Sequence, residues 1–497
     1  MPIKTALVNT TKTTLGPVTL LQYLHGKGFG VDYYHAPENA NNLYSQHDLQ
    51  VLASSLRNYS LVGLSSFTIS EARTFQLTKA IKEISPATHV ILGGPNVIMD
   101  PERILMDSAA DSVCIHEGEI PMTELILRLG SSAPVEDIAG LWFKKGDALV
   151  RNPYASPLEN LDEIPFENYK LSRHGSYFRL AQGRFVSETS LAEGIENPCM
   201  FNSCVYMMTT RGCPYDCSYC INSTLNRIGE EQGFTRIRRM SNEAIIAGLQ
   251  DALSGDPSIE NVFFFDDDFS LRSESELENF ASLYKERIGV PFHIFANPNT
   301  TSNKKLDFYA DAGLASVEFG VQTVSARVLQ IYNRQQNAAH MKRILEHVRE
   351  NRLNIQVSFD IITNSPFECP QDIAENIEYV LSLPGNFELY VHNLHLFPGS
   401  ELWKINGGGT GNENHEYQDN FSSSGTVFYN ELHSKLLFAM QGVHREEEPD
   451  RFGCLTRSEI REILHSTIQD SAAWIQLLDE RMATTRVATY YRGLRKE

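Results

Sequence analysis

No run in the chain reaches the roughly 20 apolar residues that a membrane-spanning helix needs. The first residues, MPIKTALVNTTKTT, lack an apolar core of the length a secretory signal requires. A soluble, intracellular protein of the cytoplasm is the expectation. Positive charge is in deficit too: 43 Lys and Arg face 62 Asp and Glu, a formal net charge of -19. That balance disfavours nucleic acid or anionic lipid as partners and points to a small-molecule substrate. Cysteine is sparse, 8 in 497 residues, which excludes a disulfide framework. Internal repeats and long low-complexity tracts are also missing. What is present is 42% hydrophobic residues, enough for the cores of two or three domains in a chain of this length.

Residues 1–130 alternate buried, strand-like runs with amphipathic helical stretches: KTALVN, VDYYHA, YSLVGLSSF, THVILGGP and DSVCIHEGE are the strand candidates. This is the pattern of a parallel, doubly wound, Rossmann-like sheet. Ligands bind such sheets beyond the carboxyl ends of the strands, here Ser65-Ser66, Gly93-Gly94-Pro95 and Glu117-Gly118-Glu119. Residues 131–205 read as a connector, with a hairpin turning at Gly146-Asp147 and a strap rich in proline and acid, PYASPLENLDEIPFENY. From 206 to 400 a second alternation offers six strands with intervening helices, an α/β partial barrel of TIM type whose chemistry belongs at the carboxyl ends of its strands. Residues 401–497 hold GGGTGNENHE, a loop, and then mainly helical patterns ending in RVATYYRGLRKE.

Three cysteines stand together in TTRGCPYDCSYCINST, residues 209–224, as Cys213-x3-Cys217-x2-Cys220 directly after a strand. A zinc ribbon needs a second ligand pair, and neither another CxxC nor an HxxxH partner is found. Three thiolates on a 4Fe-4S cluster leave one iron without a protein ligand. The remaining cysteines are scattered. Cys114 falls in a core strand, Cys199 and Cys204 have a spacing unlike common metal sites, and Cys369 is either a packed cysteine or a thiol on the substrate side.

The C-x3-C-x-aromatic-C pattern after a strand resembles the signature of the radical SAM superfamily. The resemblance implies that S-adenosylmethionine chelates the open iron through its amino and carboxylate groups. One electron, from a reductant such as flavodoxin or ferredoxin, then yields a 5'-deoxyadenosyl radical. It implies further that Cys213, Cys217 and Cys220 hold the cluster, that Tyr219 lies by the adenine, and that Arg211-Gly212 are the residues usual before the first cysteine. The acidic end of NVFFFDDDF, Asp266, Asp267 and Asp268, is where the family binds the methionine ammonium; a solvated turn is the plainer account of the same residues. Gln322 stands where relatives often carry Glu to meet the ribose. Arg334 resembles the arginine that meets the cofactor carboxylate, although a lone Arg after a helix is as often a surface residue.

Ahead of the barrel, LVGLSSFTIS, ILGGPNVIMDPERIL and DSVCIHEGEIPMTELI resemble, in order, the cobalamin-binding domain of one radical SAM class. The likeness covers roughly residues 1–400 and implies Ser65, Ser66, Gly93, Gly94, Glu117 and Gly118 as cobalamin neighbours. The first loop, NTTKTTLGP, lacks the D-x-H-x-x-G whose histidine ligates cobalt in methionine synthase, and His25 reads as a surface or half-buried helix residue. Cobalamin is therefore expected without a histidine ligand from that motif. FDIITNSPFECPQD and NLHLFPGSELW resemble the later strands of cobalamin-type barrels, and Tyr390, His392, His395 and Trp403 are candidates for the substrate side. Among them His395 and Tyr390, with Cys369, are the catalytic candidates. The implied activity is methylation of an unactivated carbon of a small molecule by way of methylcobalamin. Alternatives are ring closure or rearrangement with the same cofactors and, in a different class, a non-catalytic redox or cobalamin sensor.

Overall fold

The computed structural model describes residues 3–11, 15–37, 43–146, 148–165, 176–181, 184–188, 204–407, 431–445, 450–464, 476–478 and 480. Cys199, the loop 408–416 and the terminal 486–497 lie outside them. Two compact units are formed: Met1–Pro214 with Thr224–Val262 and Phe397–Ser400, and Tyr215–Ser223 with Phe263–Leu396 and Glu401–Glu497. Among the described residues no helix is long and apolar enough to cross a membrane.

The first unit is built on nine strands. Their ranges are β1 Thr5–Asn9, β2 Val31–His35, β3 Leu61–Ser65, β4 His89–Gly93, β5 Ser112–Cys114, β6 Leu141–Lys145, β7 Ala148–Arg151, β8 Tyr177–Ala181 and β9 Arg184–Glu188. They lie in the order β7-β6-β5-β4-β3-β1-β2-β8-β9. Strands β1 to β5 run parallel, as runs buried on both faces demand. On one face Ala6, Val8, Tyr34, Val62, Leu64, Val90 and Leu92 share a core with Leu52, Leu56, Leu77 and Ile81. The chain passes from β1 to β2 on one side and then to β3 on the other, so the crevice that receives ligands in such sheets opens at the carboxyl ends of β1 and β3. The connector is part of this sheet. Its hairpin is present, with Lys145 opposite Ala148 and β6 antiparallel to β5. It also supplies a second antiparallel pair, β8 with β9, that the sequence does not announce.

A second sheet takes β10 Cys204–Met207, β13 Asn261–Phe264, β14 Phe292–Ala296, β15 Leu314–Gln322, β16 Gln356–Thr363, β17 Phe387–Asn393 and β18 Gly442–His444, in that order. The six strands expected from sequence are there, and β18 adds an antiparallel edge. Between β10 and β13 the short strands β11 Thr210–Arg211 and β12 Arg238–Arg239 pair antiparallel. In the second unit β14 to β17 are parallel and joined by helices. Local chemistry sets the helix starts: Ser273 caps Glu274–Arg287 while Glu276 reaches back to the Ser273 N–H, 2.7 Å away. Phe264 faces those helices and meets Phe269, Phe280, Tyr284 and Phe292 at ring separations of 4.8 to 6.2 Å. A buried phenylalanine of this kind is worth about 3–5 kcal/mol on truncation to alanine. Its neighbours Phe263 and Phe265 point to the opposite face, where both meet Phe295.

Candidate functional site

The cysteine-rich loop is fastened by hydrogen bonds to the end of the helix Ala326–Ile331, which follows β15, and to the turn after that helix. In the second unit Ser218 donates its N–H to Tyr332 O at 2.9 Å and its hydroxyl to Ile331 O at 2.8 Å, and Asn333 Nδ2 donates to Asp216 O at 2.9 Å. These bonds bring Arg334 under the loop. Its Nη1 donates to Cys217 Sγ at 3.5 Å and to Tyr219 Oη at 3.2 Å, and its Nη2 donates to Gly320 O. Arg334 is thus no surface residue. Its Nε is buried with no hydrogen-bond partner, as are both polar atoms of the Gln336 side chain two residues on, which no motif in the sequence singles out. A buried guanidinium N–H without a partner fits a carboxylate, the group that S-adenosylmethionine would present.

Gln322 ends β15 in the left-handed region, φ 70°, beside a register shift between β15 and β16. Gly320 makes that possible: a Cβ there would stand 2.9 Å from Gln322 Nε2 and 3.3 Å from Arg334 Nη2. The conformation folds the Gln322 amide back toward Arg334 rather than along the strand.

The three consecutive aspartates do different work. Asp266 is fully buried and paired with Arg272, Nη1 to Oδ2 3.2 Å, and that guanidinium lies 4.4 Å over the Phe269 ring. Asp268 accepts from Ser270 N at 3.0 Å, Asn297 N at 3.2 Å and Thr300 Oγ1 at 2.8 Å, so it ties the ends of β13 and β14 together. Asp267 alone of the three is exposed, and loss of hydration from the protein around it raises its carboxyl while Asn222 lowers it. Of the acidic strand end, Asp267 is the one carboxylate that is not buried. Asp266→Ala strips the counter-ion from a buried guanidinium and should cost about 3–5 kcal/mol of stability, read by denaturant unfolding; a change below about 1 kcal/mol would show the pair to be dispensable.

Cys217 is buried, Cys213 and Cys220 are half-buried, and none of the three is in a disulfide. Burial raises the Cys220 thiol to about 12, so a positive metal is needed to ionise it near neutrality. Among the described residues no three His, Cys, Asp or Glu side chains are grouped around a single metal ion. The thiolates of a four-iron cluster each take a different iron, and so stand farther apart than ligands of one ion. Three thiols on one short loop, with a guanidinium donating to Cys217, suit such a cluster.

The face of the second sheet turned away from the helices carries a titratable group that no local motif assembles. The register sets Gly320, Asp360 and Tyr390 side by side, with Glu318 two residues before Gly320 and His392 two after Tyr390. His392 Nε2 lies 3.3 Å from Asp360 Oδ1. Burial, then the carboxyl of Asp360 and then that of Glu388, push Glu318 up to about 9. Burial lowers His392, and Asp360 outweighs it, leaving a net rise. Tyr390 is raised by burial and by Glu388. The folded protein therefore keeps a proton on Glu318 that the unfolded chain loses near 4.5, and stability falls as pH rises from there toward 9. Glu318→Gln, which keeps the neutral form at every pH, should flatten that fall in melting temperature; an unchanged slope would place the proton elsewhere. Of the other candidates, Cys369 is exposed at the start of the helix Pro370–Ser382, where its N–H donates to Asp372 Oδ2 at 2.8 Å. It is neither packed nor on the Tyr390 face. His395 is half-buried beyond the end of β17.

In the first unit the expected cobalamin neighbours divide. Ser65 and Gly93 end adjacent strands, and a Cβ on Gly93 would meet nothing nearer than Cys114 at 3.8 Å, so the backbone is open at that point. Gly94, φ 99°, is pressed on Ser66 O, 2.9 Å from its notional Cβ, and Ser66 is fully buried, bonded through its N–H to Gly93 O. Gly118 packs on Leu20. Glu117 is engaged: Arg211 Nη1 lies 2.9 Å from its Oε2 and Arg238 holds both its oxygens, while Glu119 takes Arg211 Nη2 at 2.5 Å. Burial alone would raise the Glu117 carboxyl, but the two guanidinium groups hold it at about 2. Ser66, Glu117 and Gly118 therefore shape the strand ends rather than face a ligand. His25, expected at the surface or half-buried, is buried and bonded through Nε2 to Val31 O at 2.9 Å.

Known proteins bear on these two sites. Residues 5–126 match the family model of the B12 binding domain, and residues 207–380 that of the radical SAM superfamily. An uncharacterized methyltransferase of Pyrococcus horikoshii is 24% identical over 345 residues, 69% of this chain and 68% of that one. The cobalamin-dependent radical SAM methyltransferase TokK of Streptomyces tokunonensis is 23% identical over 369 residues, 71% of this chain but 49% of that protein, so the chain spans about half of that relative. Anaerobic cyclases match as well. The solved methyltransferase TsrM of Kitasatospora setae, with cobalamin and a 4Fe-4S cluster bound, superposes with a TM-score of 0.62 at 16% identity over 81% of this chain and 74% of that one. At that identity the likeness is one of fold.

Proposed function

We propose that this chain, in which a B12-binding domain precedes a radical SAM domain, is a cobalamin-dependent radical SAM methyltransferase acting on an unactivated carbon of a small molecule. The observation that carries this is Arg334, bonded at once to Cys217, Tyr219 and the end of β15 with its Nε left for a ligand. Bound, the cluster supplies an electron to S-adenosylmethionine and cobalamin supplies a transferable methyl group.

The chain's own part is positional. Cys213, Cys217 and Cys220 hold the cluster. Arg334 takes the carboxylate of S-adenosylmethionine, Asp267 its ammonium, Tyr219 the adenine side and Gln322 the ribose. Together they fix the cofactor before an electron arrives. Ser65 and Gly93 form the shelf for the corrin. Phe263, Phe265 and Phe295, on the face opposite the helices, keep water from a reactive carbon, and the Glu318, Asp360, Tyr390 and His392 group offers the polar contacts that orient a substrate there. The proposal includes a flavodoxin or ferredoxin as reductant, no nucleic-acid partner and a cytoplasmic place of work.

Anaerobic reconstitution with iron, sulfide and cobalamin, followed by reductant and S-adenosylmethionine, tests it. The methyltransferase should form 5'-deoxyadenosine and also S-adenosylhomocysteine, the latter up to the amount of bound cobalamin. Deoxyadenosine without S-adenosylhomocysteine would favour the cyclase alternative, in keeping with the cyclases among the relatives. Neither product would leave a sensor.

A further inference from the structure

We propose that Glu117 and Glu119 are positioning residues for Cys213, holding through Arg211 the backbone from which that thiol reaches the iron–sulfur cluster, an inference that rests on the function proposed above. Arg211 precedes Cys213 by two residues, and its guanidinium is divided between the two carboxylates, 2.9 Å to Glu117 and 2.5 Å to Glu119. Arg238, its partner across the β11–β12 pair, holds Glu117 from the other side, Nη1 to Oε2 3.1 Å, and donates to Leu158 O at 2.6 Å. Two positive and two negative charges thus interlock with side chains only 5% to 18% exposed. Charges taken this far out of water, and bonded in pairs, allow few alternative arrangements.

The peptide that follows is confined just as closely. Gly212 has φ 96°, and a Cβ on it would lie 1.8 Å from Arg236 O. The Cys213 carbonyl accepts from Asn226 Nδ2 at 3.1 Å and from Arg236 Nε at 3.1 Å, and Arg236 Nη2 reaches Pro214 O at 2.9 Å. All of these bonds are to main-chain carbonyls; they set the direction from which the Cys213 sulfur leaves the backbone. Glu117 and Glu119 belong to the stretch that matches the B12 binding domain, and Arg211 to the stretch that matches the radical SAM superfamily. The segment after β5 that carries Glu117 and Glu119 and the backbone that leads to the first cluster thiol are therefore joined by four side chains.

Glu119→Gln, Glu119→Asp and Arg211→Lys, reconstituted beside the wild type, test the assignment. The readouts are iron and sulfide content, the electron paramagnetic resonance spectrum and potential of the reduced cluster with and without S-adenosylmethionine, iron loss to a chelator, and thermal melting. Glu119→Gln should stay folded, show a changed spectrum and potential, and lose iron at least ~10-fold faster, the usual effect of removing a group that orients a metal ligand. Glu119→Asp, which keeps the charge at shorter reach, should fall between it and the wild type. Wild-type spectrum, potential and iron retention in Glu119→Gln and Arg211→Lys would overturn the proposal. Should Glu119→Gln not fold, the same readouts on Glu119→Asp decide it. A wild-type protein that assembles no cluster overturns this inference and the proposed function together, which separates that failure from a failure of the coupling alone.

Discussion

Cys217→Ala is expected to abolish cleavage of S-adenosylmethionine in reconstituted protein, with loss of the broad iron–sulfur absorbance. Cys217 is the most buried of the three loop thiols and the one to which Arg334 donates. The donor is a guanidinium, and the same cation is the proposed carboxylate contact of the cofactor. Removing the sulfur should therefore deprive one iron of its ligand and take from Arg334 one of its three bonds, leaving those to Tyr219 and Gly320. Cys369→Ala is the matched control: that thiol is exposed at a helix start, and its loss should leave cluster content and deoxyadenosine formation intact. Chromatographic measurement of 5'-deoxyadenosine in both variants checks the pair. Turnover and absorbance retained by Cys217→Ala would remove the cluster from this loop.

The strands with the most continuous apolar runs are legible in the amino-acid pattern alone. LVGLS and HVILG fold where their patterns place them, because a strand buried on both faces has few competing readings; SVEFGVQ, buried at every second residue, is legible from its alternation instead. FRLA and RFVSE become β8 and β9 without announcing themselves, since short half-polar strands take their identity from the edge they join. Charges are the least legible. Three aspartates in a row look equivalent in sequence, yet Arg272 and the Thr300 region claim two of them, and only the fold chooses which. Glu117 resembles a ligand-facing residue at a strand end; its partners Arg211 and Arg238 lie so far along the chain, 121 residues away for Arg238, that no local pattern could reveal them. Glu318 and Asp360 gain meaning only from the cross-strand register that brings them beside Tyr390 and His392. Spacing singles out the three cysteines, because thiols proposed to share one cluster must be close in space and here are close in sequence as well.

Arg334→Lys is expected to weaken S-adenosylmethionine binding by roughly 10- to 150-fold while the cluster still assembles, the range that one lost charged hydrogen bond of about 1.5–3 kcal/mol implies. The substitution keeps the positive charge, so a purely coulombic role would survive it. What it removes is the planar fork: Nη1 bonded to Cys217 and Tyr219, Nη2 to Gly320 O, and an Nε–H left over for a carboxylate. An ammonium has no fixed third direction, and once it satisfies Gly320 O and the Cys217 sulfur it cannot also present an oriented N–H. Equilibrium dialysis of reconstituted protein with labelled S-adenosylmethionine measures the affinity, and iron content reports the cluster. Lost affinity with retained iron would separate the carboxylate contact from cluster assembly. Wild-type affinity in Arg334→Lys would show that charge alone suffices at this position. Lost iron would show that the bond to Cys217 is the more important of the two, and would move the carboxylate contact to another donor, the Gln336 amide being the nearest in sequence with buried atoms still to satisfy.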